Sequence, residues 1–261
     1  MKELTFHYHL RLSMDAPVSG HRFTLRCIPV SDNRQRISGV QWQVSPRDFV
    51  SESRDQWGNV LLYGCCQDSH TEFEVSVTGQ ATVGLAERVP GGSPERDRIF
   101  LVPTALTAPD AALAEFAAAF PETSDPLEAA EQVMNRVHDA LVYAPGTTTF
   151  QTTAAQAFAL GQGVCQDFSQ VMLAVLRLRG IPARYAAGML MGEGKSHAWV
   201  EVLHRGSWYA FDPTNRGAVT DQHIKLSHGR DAWDCAITRG LFRGSANQTT
   251  EISVIVTERK P

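Results

Sequence analysis

The sequence predicts an α+β protein: an antiparallel β domain first, then helices packed on a second antiparallel sheet. Three observations point there. Apolar and polar residues alternate through the first third, with no helical period before residue 100. Between residues 109 and 179 the period changes to that of amphipathic helices. From residue 183 to 215 alternation returns in short segments joined by tight turns.

The first strand is read from Leu4, Phe6, Tyr8, Leu10 and Leu12, which alternate with Thr5, His7, His9 and Arg11. Phe23, Leu25 and Cys27 repeat the period, and Trp42, Val44 and Phe49-Val50 continue it. Asp55-Gln-Trp-Gly58-Asn59 signals a turn before Val60–Tyr63, and Thr71–Val83 alternates again. Residues 1–88 are therefore expected to form the β domain. Pro90-Gly-Gly-Ser-Pro94 marks a linker over 89–98, and residues 99–261 are assigned to a second unit.

In that unit Leu113, Phe116 and Phe120 fall at helical spacing within Pro109–Phe120. Asp125-Pro126 supplies an N-cap and a first-turn proline for a helix whose apolar face runs Leu127, Ala130, Val133, Met134, Val137, Leu141. Thr153–Leu160 is a shorter helix. The next runs from Cys165 to Arg179, stopped by Gly180-Ile-Pro182. Arg184–Ala187, Ala198–Leu203 and Trp208–Asp212 read as strands. Ile252, Val254 and Val256 mark a last strand.

A chain of 261 residues with 43% hydrophobic and 20% charged residues can bury a sizeable core. Its net charge of -4 offers no electrostatic case for nucleic acid as a partner. No apolar run reaches the length of a membrane span, and the N-terminus lacks the apolar centre of a signal peptide, so a cytoplasmic location is expected. The five cysteines, Cys27, Cys65, Cys66, Cys165 and Cys235, fit no zinc spacing. Four of them read as small buried hydrophobes.

Cys165 is different. It follows Gly161-Gln-Gly163-Val, where a glycine-rich turn gives way to a helix. A thiol at a helix N-terminus feels the positive end of the backbone dipole, and the unpaired N–H groups there suit an oxyanion. Gly163 would let a substrate approach the backbone closely. Asp167, two residues on, either opposes thiol ionisation or turns away to cap the helix.

A base and its orienter follow in the chain. His197 opens a strand and Asp212 closes the next. A turn at His204-Arg205 sets His197 directly opposite Asp212. A turn at Arg205-Gly206 slips the register but keeps both on one face. Either way an imidazole–carboxylate bond is expected, giving a Cys165, His197, Asp212 triad. Trp199 and Glu201 share that face, while Ala198, Val200 and Val202 read as core. Trp199 is either a wall of the acyl site or a cross-strand packing aromatic. The remaining histidines, His223 among them, show no such pairing and read as surface or structural residues.

Five segments together resemble the bacterial transglutaminase-like family, whose members are described as cysteine proteases. They are Tyr143-Ala-Pro-Gly146-Thr-Thr-Thr, Gly163-Val-Cys165-Gln-Asp-Phe-Ser, Leu178-Arg-Gly-Ile-Pro-Ala-Arg-Tyr185, Ser196-His-Ala-Trp-Val-Glu-Val202 and Phe211-Asp-Pro-Thr-Asn215. The resemblance is strongest over residues 125–216. The N-terminal β region resembles the domain that precedes this core in many bacterial members. It implies a papain-like α+β core with Cys165 as nucleophile, His197 as base and Asp212 as orienter, and it assigns the C-terminal stretch to the catalytic unit. In related enzymes a side chain upstream of the nucleophile assists the oxyanion. Tyr143 is one candidate, with packing at a turn as its other reading, and Gln166 is a second.

Three functions compete at this stage: hydrolysis of a peptide, protein or peptide-like amide; acyl transfer to an amine; and binding on an inactive scaffold. The triad favours the first two, which share chemistry up to deacylation. Neither calls for a metal or an organic cofactor.

Overall fold

The computed structural model describes residues 1–259. Strand β1 (Lys2–Leu25) organises the N-terminal part. Leu4, Phe6, Tyr8, Leu10, Leu12 and Met14 are all buried on one of its faces. A one-residue slip would turn all six to solvent at a cost on the order of 10 kcal/mol, which fixes the register.

The flanking strands are β2 (Gln35–Ser45), β3 (Phe49–Arg54), β4 (Val60–Cys66) and β5 (His70–Val83). The first half of β1 pairs with β5, which carries β2 on its far side. The second half pairs with β4, which carries β3. Register breaks after Ser13 and Ser19 let one strand serve both halves of the sheet.

The helical segment contains α1 (Ala111–Ala118), α2 (Pro126–Ala140), α3 (Ala154–Leu160) and α4 (Cys165–Leu178). Asp125 caps α2 through the Leu127 N–H, and Thr153 with Gln156 closes a capping box on α3. Strands β6 (Ala183–Leu190), β7 (His197–His204), β8 (Ser207–Asp212) and β9 (His223–Gly229) form an antiparallel sheet in the order β8-β7-β6-β9. Ala198, Val200 and Val202 join Val171, Met172 and Val175 of α4 in one core, as their alternation predicts. Met189, Ile224 and Leu226 instead join the core of the N-terminal strands. The sheet is thus held between helices and the β region.

Two boundary expectations are corrected. Strands β10 (Thr238–Arg243) and β11 (Gln248–Glu258) both pair with β1, so the C-terminal stretch assigned to the catalytic unit completes the N-terminal sheet. The periodicity of Ile252, Val254 and Val256 identified a strand, but its partner lies some 245 residues away in sequence, beyond the reach of local pattern. The expected linker is also structured: Val89–Pro90 pairs with Ser207–Trp208 of β8, and Pro94–Asp97 forms a short helix.

Candidate active site

Cys165 is the first residue of α4, after the N-cap Val164. The turn that delivers it is tightly specified. Gly161 ends α3 in the left-handed conformation at φ 66°. Tyr143 and Gly163 then pair as short parallel strands, which ties the loop ahead of the thiol to the segment after α2. Asp167 resolves to the capping role. Its Oδ2 accepts the Val164 N–H at 2.8 Å and the Thr148 hydroxyl at 2.7 Å. Burial raises its pKa, partly offset by those hydrogen bonds. A Cβ on Gly163 would meet this carboxylate at 2.6 Å. The glycine therefore makes room for Asp167, where the sequence reading had assigned it to substrate approach.

The N–H groups of Cys165 and Gln166, at the first two helical positions, have no intrahelical acceptor. The Cys165 Sγ lies 3.9 Å from the Ser196 carbonyl oxygen, and the thiol is near enough to His197 to help raise the imidazole pKa.

His197 and Asp212 come together through the second of the two expected turns. Arg205 and Gly206 both have positive φ, 46° and 71°, as a tight type I′-like turn requires. Val200 then faces Phe211, and Glu201 faces Ala210, so Asp212 stands offset from His197 on the same face. Diagonal reach suffices: His197 Nε2 lies 2.7 Å from Asp212 Oδ2. With Nε2 on the carboxylate, Nδ1 is the nitrogen left for the thiol side.

Asp212 is 1% exposed and fully occupied. Its Oδ1 accepts the backbone N–H groups of Thr214 and Asn215, and its Oδ2 also receives the Asn215 amide at 2.7 Å. That is the physical content of the Asp-Pro-Thr-Asn motif: an Asx-type turn that fixes the carboxylate. The turn is clamped to α2 by His138 Nδ1, which donates to the Pro213 carbonyl, and by Arg216, which bonds Asn135 and Asp139.

The charges follow from this geometry. Burial alone would raise the Asp212 pKa, but hydrogen bonds from His197 and His223, the His197 charge and the Asn215 amide outweigh it and hold the group well below the usual carboxylate range. Burial works against the His197 cation in the same way. The bonds and charges of Asp212 and Cys165 overcome it and raise the imidazole pKa to about 10. A proton on His197 thus persists across neutral pH.

The other expected residues separate. Tyr143 is 56% exposed and pairs with Gly163, two residues ahead of the thiol; burial and the Cys165 charge raise its pKa. Gln166 donates its amide to the Phe150 carbonyl at 3.1 Å, a commitment to holding that loop. Trp199 is 1% exposed and presents no surface to an acyl group, which fits the second of its two expected readings, a cross-strand packing aromatic. Its ring crosses β6 over Gly188, whose missing Cβ is what admits it, and backs the imidazoles of His197 and His223. Cys27, Cys66 and Cys235 are buried as expected, while Cys65 is only partly so.

The residue that the sequence reading passed over is His223. Its Nε2 lies 3.4 Å from Asp212 Oδ2. No spacing signal marks it, because β9 joins the sheet on the far side of β6. The one local hint is Gly188, the glycine over which Trp199 reaches across.

Comparison with known proteins agrees with this architecture. Residues 114–213 match the transglutaminase-like superfamily core, and residues 4–82 match the bacterial transglutaminase-like N-terminal region. Uncharacterized protein ML0607 of Mycobacterium leprae is 30% identical over 264 residues, covering 93% of each chain. Uncharacterized protein Rv2569c of Mycobacterium tuberculosis is 28% identical, covering 87% of this chain and 84% of its own. The chain belongs to the transglutaminase-like superfamily. The crystal structure of a "Putative Cysteine Protease" from Cytophaga hutchinsonii shares the fold, with a TM-score of 0.82 over all of this chain and 91% of that one, at 22% identity. No described helix is long and apolar enough to cross a membrane.

Proposed function

We propose that this protein is a cysteine-dependent hydrolase of peptide or peptide-like amides, working through Cys165, His197 and Asp212. The observation that carries the reading is the His197–Asp212 pair, with Nε2 2.7 Å from Oδ2, next to a thiol at the start of α4 that helps to raise the imidazole pKa.

The Cys165 thiolate attacks the substrate carbonyl carbon, forming a C–S bond as the carbonyl π electrons move to oxygen. The N–H groups of Cys165 and Gln166 receive that oxyanion, with the Tyr143 hydroxyl a further donor at the rim. As the C–N bond breaks, His197 passes its proton to the leaving amine. Water then attacks the thioester, His197 takes a proton from it, and the free acid leaves with the thiolate restored. Asp212 keeps the imidazole oriented and its cation stabilised throughout.

The exposure of Val142 and Tyr143 in the segment paired with the loop ahead of the thiol, and the partial exposure of Cys165 itself, support access of water and so hydrolysis over amine transfer. The test is incubation with a glutamine-containing peptide library and a labelled primary amine. Free acid without label supports the reading, label incorporation replaces it with acyl transfer, and turnover that survives Cys165→Ala removes both.

A further inference from the structure

A second imidazole sits on the triad's carboxylate, and nothing in the reaction above uses it. His223 opens β9 with its side chain 7% exposed. It is bonded at both nitrogens. The backbone N–H of Thr220 donates to Nδ1 at 3.3 Å, and Nε2 lies 3.4 Å from Asp212 Oδ2. Trp199 packs edge-on against the ring at a centroid distance of 5.5 Å.

The polarity of these contacts fixes the tautomer. An N–H pointing at Nδ1 requires a lone pair there, so the ring's proton is on Nε2, where it faces Asp212. The same polarity decides between two uses of the cluster. The ligand atoms of His197, Asp212 and His223 all lie within 4.8 Å of one another, the donor set of a two-histidine, one-carboxylate metal site. A neutral imidazole that binds metal through Nε2 must carry its proton on Nδ1, and that proton would meet the Thr220 N–H head-on. The geometry favours a proton donor over a metal ligand.

We propose that His223 is a positioning residue of the triad: its Nε2–H donates to Asp212 Oδ2 and holds the carboxylate ionised and aimed at His197. This rests on the thiol–imidazole reading above. Asp212 Oδ2 then has three side-chain donors, from His197, Asn215 and His223, and only the first takes part in chemistry.

The surroundings keep other charges out of this contact. On β7, Trp199 and His197 face the ring. Farther along the same cavity, Lys225 is engaged by Glu201 and Asp32, and Arg34 donates to the Val219 carbonyl in the loop before His223. Asp212 is thus the one carboxylate that His223 contacts among the described residues.

The test is iodoacetamide alkylation of Cys165 across pH 5–9, read by peptide mass spectrometry with Cys65 as the internal reference. It compares the native protein with His223→Phe and His223→Gln. Phenylalanine keeps a ring against Trp199 and removes the donor, while glutamine restores an N–H. A hydrogen bond to a charged group is worth about a tenfold change in equilibrium. The expected result is a rate about tenfold lower at pH 6 in His223→Phe, little change at pH 9, and recovery of most of the loss in His223→Gln. Should His223→Phe not fold, His223→Asn, which withdraws the donor from reach, takes its place with the same expectation.

Superimposable profiles overturn the proposal. So does an equal loss at every pH, which would mark a merely structural role. Zinc protection of Cys165 in the native protein but not in His223→Phe would overturn it in favour of a metal site. If native Cys165 is no more reactive than Cys65 at pH 6, the thiol–imidazole reading itself fails and this inference falls with it.

Discussion

Gly163 and Asp167 occupy one space: a Cβ on the glycine would lie 2.6 Å from atoms of the aspartate side chain. Asp167 in turn holds the Val164 N–H and the Thr148 hydroxyl. The glycine therefore acts on the nucleophile at one remove, by admitting the group that fixes the turn ahead of it. Gly163→Ala is expected to destabilise the protein by roughly 1–3 kcal/mol through overpacking and to slow Cys165 alkylation. In Gly163→Ala/Asp167→Ala the two losses overlap, so the double variant should melt above the temperature that the single effects sum to. Strict additivity in thermal melts would sink the argument.

The proton on His197 should be visible without any substrate. With the imidazole pKa raised to about 10, Cys165 stays paired with a cation through neutral pH. The imidazole signals of His197 in NMR should therefore shift in a step near pH 10, and Asp212→Ala should move that step to lower pH. A native profile with no inflection in that region would contradict the pairing.

The same pair makes stability depend on pH, with opposite signs at the two ends. His197 is raised above its ordinary value of 6.5, so its contribution is complete below about 6.5 and is lost as pH climbs to about 10. Asp212 is depressed, so its contribution is present above the ordinary value of 3.8 and is lost as pH falls through and below it. The pair contributes most between those limits. Asp212→Ala should cost roughly 2 kcal/mol near pH 6 and flatten both limbs of the melting-temperature profile. A native-like pH profile in the variant would show that the pair carries no linkage.

Reactivity should discriminate sharply among the five thiols. Burial pushes Cys27 up to about 12 and raises Cys66 and Cys235 as well. At pH 7 in the folded protein, Cys165 and then Cys65 should alkylate, and the other three only after denaturant is added. Early modification of Cys235 would indicate that the core over β6 opens readily.

Much of this site was legible in the chain because its determinants are local. A glycine-rich turn before a helix marks Cys165, and a hairpin joins His197 to Asp212. Two registers were open, and the positive φ of Arg205 and Gly206 selects one of them. What escaped depends on partners far apart in sequence. His223 reaches Asp212 only because β9 is added beyond β6, and β11 finds β1 only after the rest of the chain has folded back. Trp199 kept two readings for a different reason: alternation gives the face of a strand but not what covers that face. Here Trp199 packs in a small cluster of its own with Ala186, Ala210 and Val219.

Strand β1 takes two partners from the far end of the chain: β11 along Leu4–Met14 and β10 along Ser19–Leu25. During synthesis the first strand leaves the ribosome more than 200 residues before these neighbours do. Cys165, His197 and Asp212 all emerge earlier than the strands that close the N-terminal sheet. Translation thus delivers the chemistry before the scaffold is complete, and β1 must wait, paired with β4 and β5 but with one edge open. A chain ending at residue 247 should carry an intact triad sequence on a permanently open edge, and is expected to aggregate rather than accumulate as a folded enzyme.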